Sequence, residues 1–182
     1  GMKLLVNFHY SDFWADPGKQ ILPKAWTAYD MDELVRAVYE FTKQSLVTAR
    51  DADVLPDMIQ VGNEITNGML WPLGKLERAD GTRGKYENFC RLVDAGCRAC
   101  REIAPNAKIV LHLERSNDKA VYQEFFAQMQ KANIDFDVIG ASYYPYWHGT
   151  PDELFANLDA CRCFGKQIMI VELGYGFTTE SY

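Results

Sequence analysis

The chain has 182 residues, of which 48% are hydrophobic and 24% are charged. This composition is ordinary for a globular protein with one sizeable core, and it excludes disordered and fibrous classes. The formal net charge is −6 and no basic run is present, so we expect no nucleic-acid partner. No apolar stretch approaches the ~20 residues that cross a bilayer, so no membrane span is expected, and we identify no signal peptide in the sequence.

The first predicted elements are a strand at residues 4–9 and, after a long loop, a helix at residues 30–49. Apolar strands and amphipathic helices then alternate along the chain. The further strands are predicted at residues 58–61, 108–113, 137–142 and 168–171. The further helices are predicted at residues 85–103, 117–132 and 152–164, the last with Leu154, Phe155, Leu158 and Cys161 facing inward. Unbroken apolar strands of this kind are typical of a parallel sheet covered by helices.

The connections differ between the two ends of the predicted strands. Loops that follow strands are long, polar and aromatic, whereas the connections from helix back to strand are short. Active sites of (β/α)8 TIM barrels are built from the loops at the carboxyl ends of the strands, so this asymmetry favours that architecture. A doubly wound sheet would instead carry a Gly-rich phosphate loop after its first strand, and residues 10–16 contain none.

The chain is short for a closed barrel. An eight-stranded barrel takes ~250 residues, and only five strand-helix units can be counted here, the last without its helix. We therefore expect residues 1–182 to form a single catalytic domain of the α/β class. It would be a partial TIM-type barrel of about five parallel strands with intervening helices, an internal piece of the complete fold.

The five cysteines cannot all pair within one chain. Cys90, Cys97 and Cys100 recur on one face of a helix, which favours free thiols that pack as small hydrophobic side chains. The alternative is a zinc site that combines Cys97 and Cys100 with Cys161 and Cys163. Both groups lie within helical patterns rather than in the tight turns typical of zinc sites. We therefore expect no metal site and no cofactor.

Two predicted strands end in a glutamate. Glu64 follows the strand at residues 58–61, and Glu172 follows the strand at residues 168–171. A carboxylate at the end of a buried strand is costly unless it faces a wet cleft, although a surface ion pair is the plainer explanation for either residue alone. Glycoside hydrolysis uses two such groups, which lie ~5 Å apart in retaining enzymes. Whichever glutamate is better desolvated would have the higher pKa and act as the acid.

Other polar side chains follow the same strand ends. Asn63 precedes Glu64 and could bond to a sugar hydroxyl or to the partner carboxylate. His9 ends the first predicted strand and Asp12 follows it, at the rim where the glutamates are expected, and we predict that both contact the substrate. His112 lies near the end of the third strand, where a structural role is the plainer interpretation.

Aromatic residues in the loops are further candidates for substrate binding. Tyr143 and Tyr144 follow the fourth strand, where one hydroxyl could orient Glu172, or both rings could simply cover the core. Aromatic faces suit the apolar faces of sugar rings. On this ground we predict that three tryptophans and one histidine line sugar subsites: Trp14, Trp71, Trp147 and His148.

Four segments in register along the whole chain resemble the signatures of the family 53 glycoside hydrolases. They are residues 8–20, 60–72, 142–149 and 171–177, with the sequences FHYSDFWADPGKQ, QVGNEITNGMLWP, SYYPYWHG and VELGYGF. Members of this family are arabinogalactan endo-β-1,4-galactanases, retaining enzymes with a (β/α)8 barrel that act on the galactan side chains of pectin. The resemblance implies that the five strands here are the third to the seventh of the barrel.

The resemblance also implies distinct roles for the two glutamates. Glu64 is expected to be the general acid/base and Glu172 the nucleophile. Two positions depart from the family pattern, because Leu173 stands where a threonine is usual and Asn7 where an aspartate is common. The expected substrate is β-1,4-galactan or a galacto-oligosaccharide. A monomer that is secreted, periplasmic or at the cell surface is expected.

Two alternative functions stay open from the sequence. One is a non-catalytic or inactive carbohydrate-binding fragment of a barrel. The other is a related retaining glycosidase that acts on a different β-glycan.

Overall fold

The computed structural model describes residues 1–76 and 84–176. Its centre is one sheet of five parallel strands in the order β1-β2-β3-β4-β5. The strands are β1 (Leu5–Phe8), β2 (Met58–Val61), β3 (Lys108–Leu113), β4 (Val138–Tyr143) and β5 (Gln167–Leu173). Because every strand pairs in parallel with the next one in the chain, all five carboxyl ends lie at one edge of the sheet. The predicted alternation of parallel strands and helices is confirmed.

The helices occupy the connections between the strands. They are α1 (Met31–Asp51), α2 (Glu87–Ile103), α3 (Lys119–Lys131), α4 (Pro145–His148) and α5 (Pro151–Ala160), with 3-10 turns at Lys24–Trp26, Ile65–Asn67 and Cys161–Phe164. Capping boxes start two of the helices. Asp30 and Glu33 cap α1, and Thr150 and Glu153 cap α5, each pair satisfying backbone N–H groups that the first turn leaves free. No helix in the two described ranges is long and apolar enough to cross a membrane.

The structure corrects the prediction at the carboxyl-terminal helix and at the loop before it. The loop at residues 143–149 contains the short helix α4, and the helix predicted at residues 152–164 divides into α5 and a 3-10 turn. Phe155 does not face inward, because Leu154 and Leu158, one turn apart, form the stripe that packs on the core and Phe155 lies on the outer side. Asp80 and Gly81 form a pair that predicts a turn in the loop after β2. This pair and Phe177 of the last motif fall outside the described residues.

The cysteines are free thiols, as the spacing predicts. Cys97 and Cys100 are buried against the core and Cys90 is half-buried, which agrees with packing as small hydrophobic side chains. Cys161 is buried and Cys163 is exposed. Within residues 1–76 and 84–176 the cysteines form no group with metal-ligand spacing, so the structure gives no support to the alternative zinc site.

Buried aromatic rings of helices α2 and α3 pack against one another in the core. The ring of Phe125 lies with its centroid 5.6 Å from that of Phe89 and 5.2 Å from that of Phe126, in edge-to-face contacts. The last strand, β5, lies at an edge of the described sheet, so its side chains are half-buried or, at Gln167, Ile170 and Leu173, exposed.

Truncation of the aromatic core should destabilise the fold strongly. Phe125 is fully buried, so Phe125→Ala removes a large apolar side chain and leaves a cavity, and we expect it to lower the free energy of unfolding by about 3–5 kcal/mol. Phe155→Ala is the matched control, because that ring is 70% exposed, and it should change the value by no more than about 0.5 kcal/mol. Urea unfolding measures both. Equal losses in the two variants would contradict the assignment of the core.

Candidate active site

The backbone between the end of β2 and Glu64 has an unusual conformation. Gly62 has a φ of 82°, and a Cβ there would lie 2.5 Å from the Ile65 side chain, so only glycine fits. Glu64 itself is in the left-handed region at φ 49°, which is uncommon for a residue with a side chain and is often found at functional sites. The side chain is 9% exposed and faces the carboxyl ends of the neighbouring strands.

The second glutamate, Glu172, meets Glu64 at this edge. The register of β4 and β5 shifts between Ala141 and Ser142, so that Glu172 rather than Val171 lies opposite Ser142. A shift of this kind re-aims the side chains that follow it. The ligand atoms of Glu64, Glu172 and His112 all lie within 4.8 Å of one another. The structure therefore brings the two predicted carboxylates together, although they are far apart in the sequence.

The two carboxylates have different surroundings. Burial raises the pKa of Glu64 to about 7, the charges of Glu172, Glu114 and Asp16 add to the rise, and the hydrogen bond from Ser142 opposes it. Glu172 is half-buried and accepts a hydrogen bond from the hydroxyl of Tyr144. Burial and this contact raise the pKa of Tyr144 to about 12, so the phenol keeps its proton and remains a donor.

A buried network of polar side chains contacts Glu64 through the hydroxyl of Ser142. Gln60, at the end of β2, lies with Nε2 3.0 Å from His112 Nδ1, and His112 Nε2 lies 2.7 Å from Ser142 Oγ. The Ser142 hydroxyl donates to Glu64 Oε1 at 2.7 Å. Burial lowers the pKa of His112 to about 3, with a smaller contribution from His9, so the imidazole is neutral at ordinary pH.

Asn63 joins the loop after β1 to the same network. Its Nδ2 donates to the Ala15 carbonyl at 2.9 Å, and its Oδ1 accepts from Asn7 Nδ2 at 2.8 Å and from Gln60 Nε2 at 3.2 Å. One Nδ2 hydrogen of Asn63 is left for a further acceptor, which is compatible with the predicted contact to a sugar or carboxylate.

His9 and two tryptophans lie around the pair. Burial lowers the pKa of His9, and the charge of Glu172 partly offsets this. The ring of Trp14 packs edge-on against His9 with centroids 6.3 Å apart, and the ring of Trp147 lies 5.4 Å from that of Tyr144. Trp14 is 80% exposed and Trp147 is 72% exposed, so each ring has an apolar face open to solvent next to His9 or Tyr144.

The remaining predicted residues bond within their own loops. Asp12 accepts from the backbone of Lys24 at 2.8 Å, and the Tyr143 hydroxyl donates to the Gly149 carbonyl at 3.0 Å. These bonds give both residues a structural role, while their contact with substrate stays a prediction.

Two further candidates are also held by local bonds. His148 is buried and accepts from the backbone N–H of Tyr144 at 3.0 Å. The Trp71 indole donates to the Asn67 carbonyl at 3.0 Å, and the Lys75 ammonium lies 4.3 Å from the ring centroid. Of the two possible orienting tyrosines, it is Tyr144 that contacts Glu172.

Sequence reasoning missed several polar groups of the site. Ser142 and Gln60 were not recognised as partners of the catalytic region, and neither was Glu114, a buried carboxylate that accepts from Thr66. Gln60 and Ser142 lie near the carboxyl ends of β2 and β4, and Glu114 directly follows β3, so their positions at the carboxyl ends of the strands were the available signal. Gln20 is the last residue of the first family signature, but no local pattern predicts its side-chain bond to the Asn63 carbonyl at 2.8 Å, 43 positions away.

The cluster of Glu64, His112 and Glu172 also has the residue types of a metal site. Both nitrogens of His112 are however within bonding distance of Gln60 and Ser142, and Glu64 Oε1 already accepts from Ser142. A cation would have to break these contacts. The arrangement therefore favours proton transfer over metal binding.

Comparison with known proteins places this geometry in a family. Residues 1–182 match glycosyl hydrolase family 53. The chain belongs to this family. An uncharacterised protein of Niallia circulans is 44% identical over 99% of the chain and 50% of its own length, and an endo-beta-1,4-galactanase of Bacillus subtilis is 39% identical over 99% of the chain and 40% of its own length. The family 53 chain thus spans about half the length of the relatives that it matches.

Solved structures agree with this assignment. The family 53 catalytic domain of Ignisphaera aggregans superposes with a TM-score of 0.91 at 39% identity, covering 100% of this chain and 49% of that one. A fungal beta-1,4-galactanase superposes with a TM-score of 0.85 at 32% identity, covering 96% of this chain and 53% of that one. An intracellular xylanase of Thermoanaerobacterium saccharolyticum, 11% identical with a TM-score of 0.70, covers 98% of this chain and 56% of that one, and it shares the fold alone. The predicted partial TIM barrel is confirmed.

The raised pKa of Glu64 has a consequence for stability. The folded state binds this proton more tightly than the unfolded chain, so the stabilisation is complete below pH 4.5 and is lost as the pH rises through about 7. At pH 8 the ionised carboxylate is unfavourably buried. We expect Glu64→Gln to exceed the wild type in unfolding free energy at pH 8 by about 1–2 kcal/mol, after allowance for solvent in the cleft, and by less at pH 5.

Chemical unfolding at the two pH values tests this expectation. Glu40→Gln, on the exposed side of α1, removes the same charge outside the cleft and should leave the pH dependence of the wild type unchanged. A stability difference for Glu64→Gln that is equal at pH 5 and pH 8 would show that Glu64 titrates normally.

Proposed function

We propose that this family 53 chain carries the catalytic pair of a retaining endo-glycosidase that cleaves β-1,4-galactan by double displacement. One observation supports it above the others. The carboxylate atoms of Glu64 and Glu172 lie within 4.8 Å of each other, and only a separation near 5 Å lets one carboxylate attack the anomeric carbon directly. An inverting enzyme would need ~6.5–9.5 Å between the carboxyl groups to hold a water molecule.

In the first step Glu172 attacks the anomeric carbon while Glu64 protonates the departing glycosidic oxygen. The pKa of about 7 keeps a large share of Glu64 in the acid form near neutral pH. The Tyr144 hydroxyl holds one oxygen of Glu172, which fixes the orientation of the attacking carboxylate. The bond to the leaving sugar breaks as the Glu172 ester forms.

In the second step Glu64 removes a proton from water, and the water oxygen displaces Glu172 from the sugar. Ester formation neutralises Glu172, and its charge is one of the causes that raise the pKa of Glu64. The pKa of Glu64 should therefore fall in the intermediate, which suits its change from acid to base. Hydrolysis restores both carboxyl groups to their starting states.

The choice of β-1,4-galactan draws on the named relatives from Bacillus subtilis and Aspergillus terreus, the second a probable arabinogalactan endo-beta-1,4-galactanase A at 34% identity. The exposed rings of Trp14 and Trp147 beside the pair supply stacking surfaces for pyranose rings. A pectic polymer lies outside the cell, so the proposal includes a secreted or surface-bound enzyme. We propose that it acts as a monomer.

Substitution of each glutamate separates the two roles in the full-length protein. Glu172→Gln should abolish turnover of galactan and of aryl galactosides alike, because the nucleophile is lost. Glu64→Gln should lower kcat on galactan by about 10²–10⁴-fold and spare formation of the glycosyl-enzyme from a dinitrophenyl galactoside, whose leaving group needs no proton.

The control for these variants is Glu40→Gln, which should keep wild-type kinetics. Steady-state and burst-phase measurements provide the values. Near-normal activity of either catalytic variant on galactan would show that the pair does not perform the chemistry.

The substrate class has its own test. The full-length protein should shorten β-1,4-galactan and leave mannan, xylan and cellulose uncut, as measured by the size distribution of the products. Proton NMR of the first product should show the β-anomer, because two displacements retain configuration. Preference for another glycan would support the related-glycosidase alternative. Binding of galacto-oligosaccharide without cleavage would support the non-catalytic one.

A further inference from the structure

In the polar network next to Glu64, the donor and the acceptor of each hydrogen bond can be assigned. Asn63 Nδ2 donates to the Ala15 carbonyl, which orients the amide and makes Oδ1 an acceptor toward Asn7 and Gln60. Asn7 Nδ2 and one hydrogen of Gln60 Nε2 occupy the two lone pairs of that oxygen. The second hydrogen of Gln60 Nε2 is left for His112 Nδ1 at 3.0 Å.

His112 is therefore confined to one tautomer. A neutral imidazole carries one hydrogen, and with Nδ1 accepting from Gln60 that hydrogen is on Nε2. Nε2–H then donates to Ser142 Oγ at 2.7 Å. Because His112 is almost fully buried, water does not compete for these contacts. The longer approach of His112 Nδ1 to Asn63 Oδ1, at 3.3 Å, joins two acceptors and is not a hydrogen bond in this arrangement.

The hydrogen bond from His112 also fixes the orientation of the Ser142 hydroxyl. Since it accepts from His112, its own hydrogen is free to point only at Glu64 Oε1, 2.7 Å away. The hydroxyl oxygen of a carboxylic acid is a weaker acceptor than its carbonyl oxygen, so a short bond from Ser142 to Oε1 favours Oε1 as the carbonyl oxygen. The acidic proton then belongs on the other oxygen, Oε2.

We propose that the chain Gln60, His112, Ser142 assigns the acidic proton of Glu64 to Oε2, with Ser142 and His112 acting as positioning residues for the acid/base. The inference rests on the proposed role of Glu64. The proton that leaves Oε2 in the first step goes to the glycosidic oxygen, and the proton taken from water in the second step returns to Oε2. Oε1 keeps the Ser142 hydrogen bond throughout, so the carboxyl group does not rotate between the steps.

The hydrogen bond from Ser142 also affects the pKa of Glu64. Among the described groups that act on Glu64, Ser142 lowers its pKa, while burial and three carboxylates raise it. Without this donor Glu64 would be a weaker acid. The titratable and charged groups that face it from the surrounding elements are Glu172, Glu114, Asp16, His112, Tyr144 and Tyr122.

Nitrogen NMR of the unmodified full-length protein tests the direction of the chain. With ¹⁵N-labelled histidine, His112 should show a protonated Nε2 and an unprotonated Nδ1, unchanged from pH 5 to pH 9. His112→Gln assigns the signals. A protonated Nδ1, or an imidazolium form at pH 7, would reverse or break the chain and overturn the proposal.

Carbon NMR of the glutamate carboxyl groups tests the role of Ser142. In Ser142→Ala the midpoint of the Glu64 titration should rise by about one pH unit. Ser142→Thr keeps a hydroxyl and should stay closer to the wild type, and Glu64→Gln assigns the resonance. An unchanged midpoint in Ser142→Ala would overturn the proposal. Far-UV circular dichroism checks that each variant is folded.

The pH profile of kcat/KM in the full-length enzyme tests whether Ser142 is a positioning residue. The alkaline limb of kcat/KM in Ser142→Ala should move upward with the NMR midpoint, and the acid limb should stay in place. Both NMR results are obtained without turnover. If they agree with the proposal and the protein cuts no glycan, the proposed function fails while the proton assignment stands.

Discussion

The site depends on the close approach of two carboxyl groups at the carboxyl edge of a parallel sheet. Two negative charges within 4.8 Å in a partly buried place repel each other, and the charge of Glu172 is one of the causes that raise the pKa of Glu64. The left-handed backbone at Glu64 and the register shift before Ser142 both serve to create this approach. Burial is the largest cause of the raised pKa of Glu64.

The sequence was sufficient for the fold because its signals are local and repeat. Apolar strands separated by capped helices predict a parallel sheet, and every strand of the described chain lies where the pattern indicated. The failure at Phe155 has a local cause as well. Leu154 and Phe155 are consecutive residues of a short helix, so their side chains point in different directions. Leu154 packs on the core and Phe155 is exposed, and hydrophobicity alone does not distinguish them.

The site was predictable only in part, since its chemistry is set by contacts between strands. Glu64 and Glu172 are visible as strand-end carboxylates and as parts of family motifs. The bond from Ser142 to Glu64 spans 78 positions and depends on strand register, which composition and spacing do not reveal. Tyr144 illustrates the intermediate case, because the sequence places a tyrosine near Glu172 and only the structure shows which hydroxyl reaches it.

The most direct test of the central claim is covalent trapping of the nucleophile. The full-length protein is incubated with a 2-deoxy-2-fluoro galactoside that carries an activated leaving group, and the labelled peptide is identified by mass spectrometry. The account predicts a single fluorosugar ester on Glu172, with Glu64 unmodified. A label on Glu64 or on Glu114, or hydrolysis without any covalent adduct, would contradict the assignment of Glu172 as nucleophile and Glu64 as acid/base.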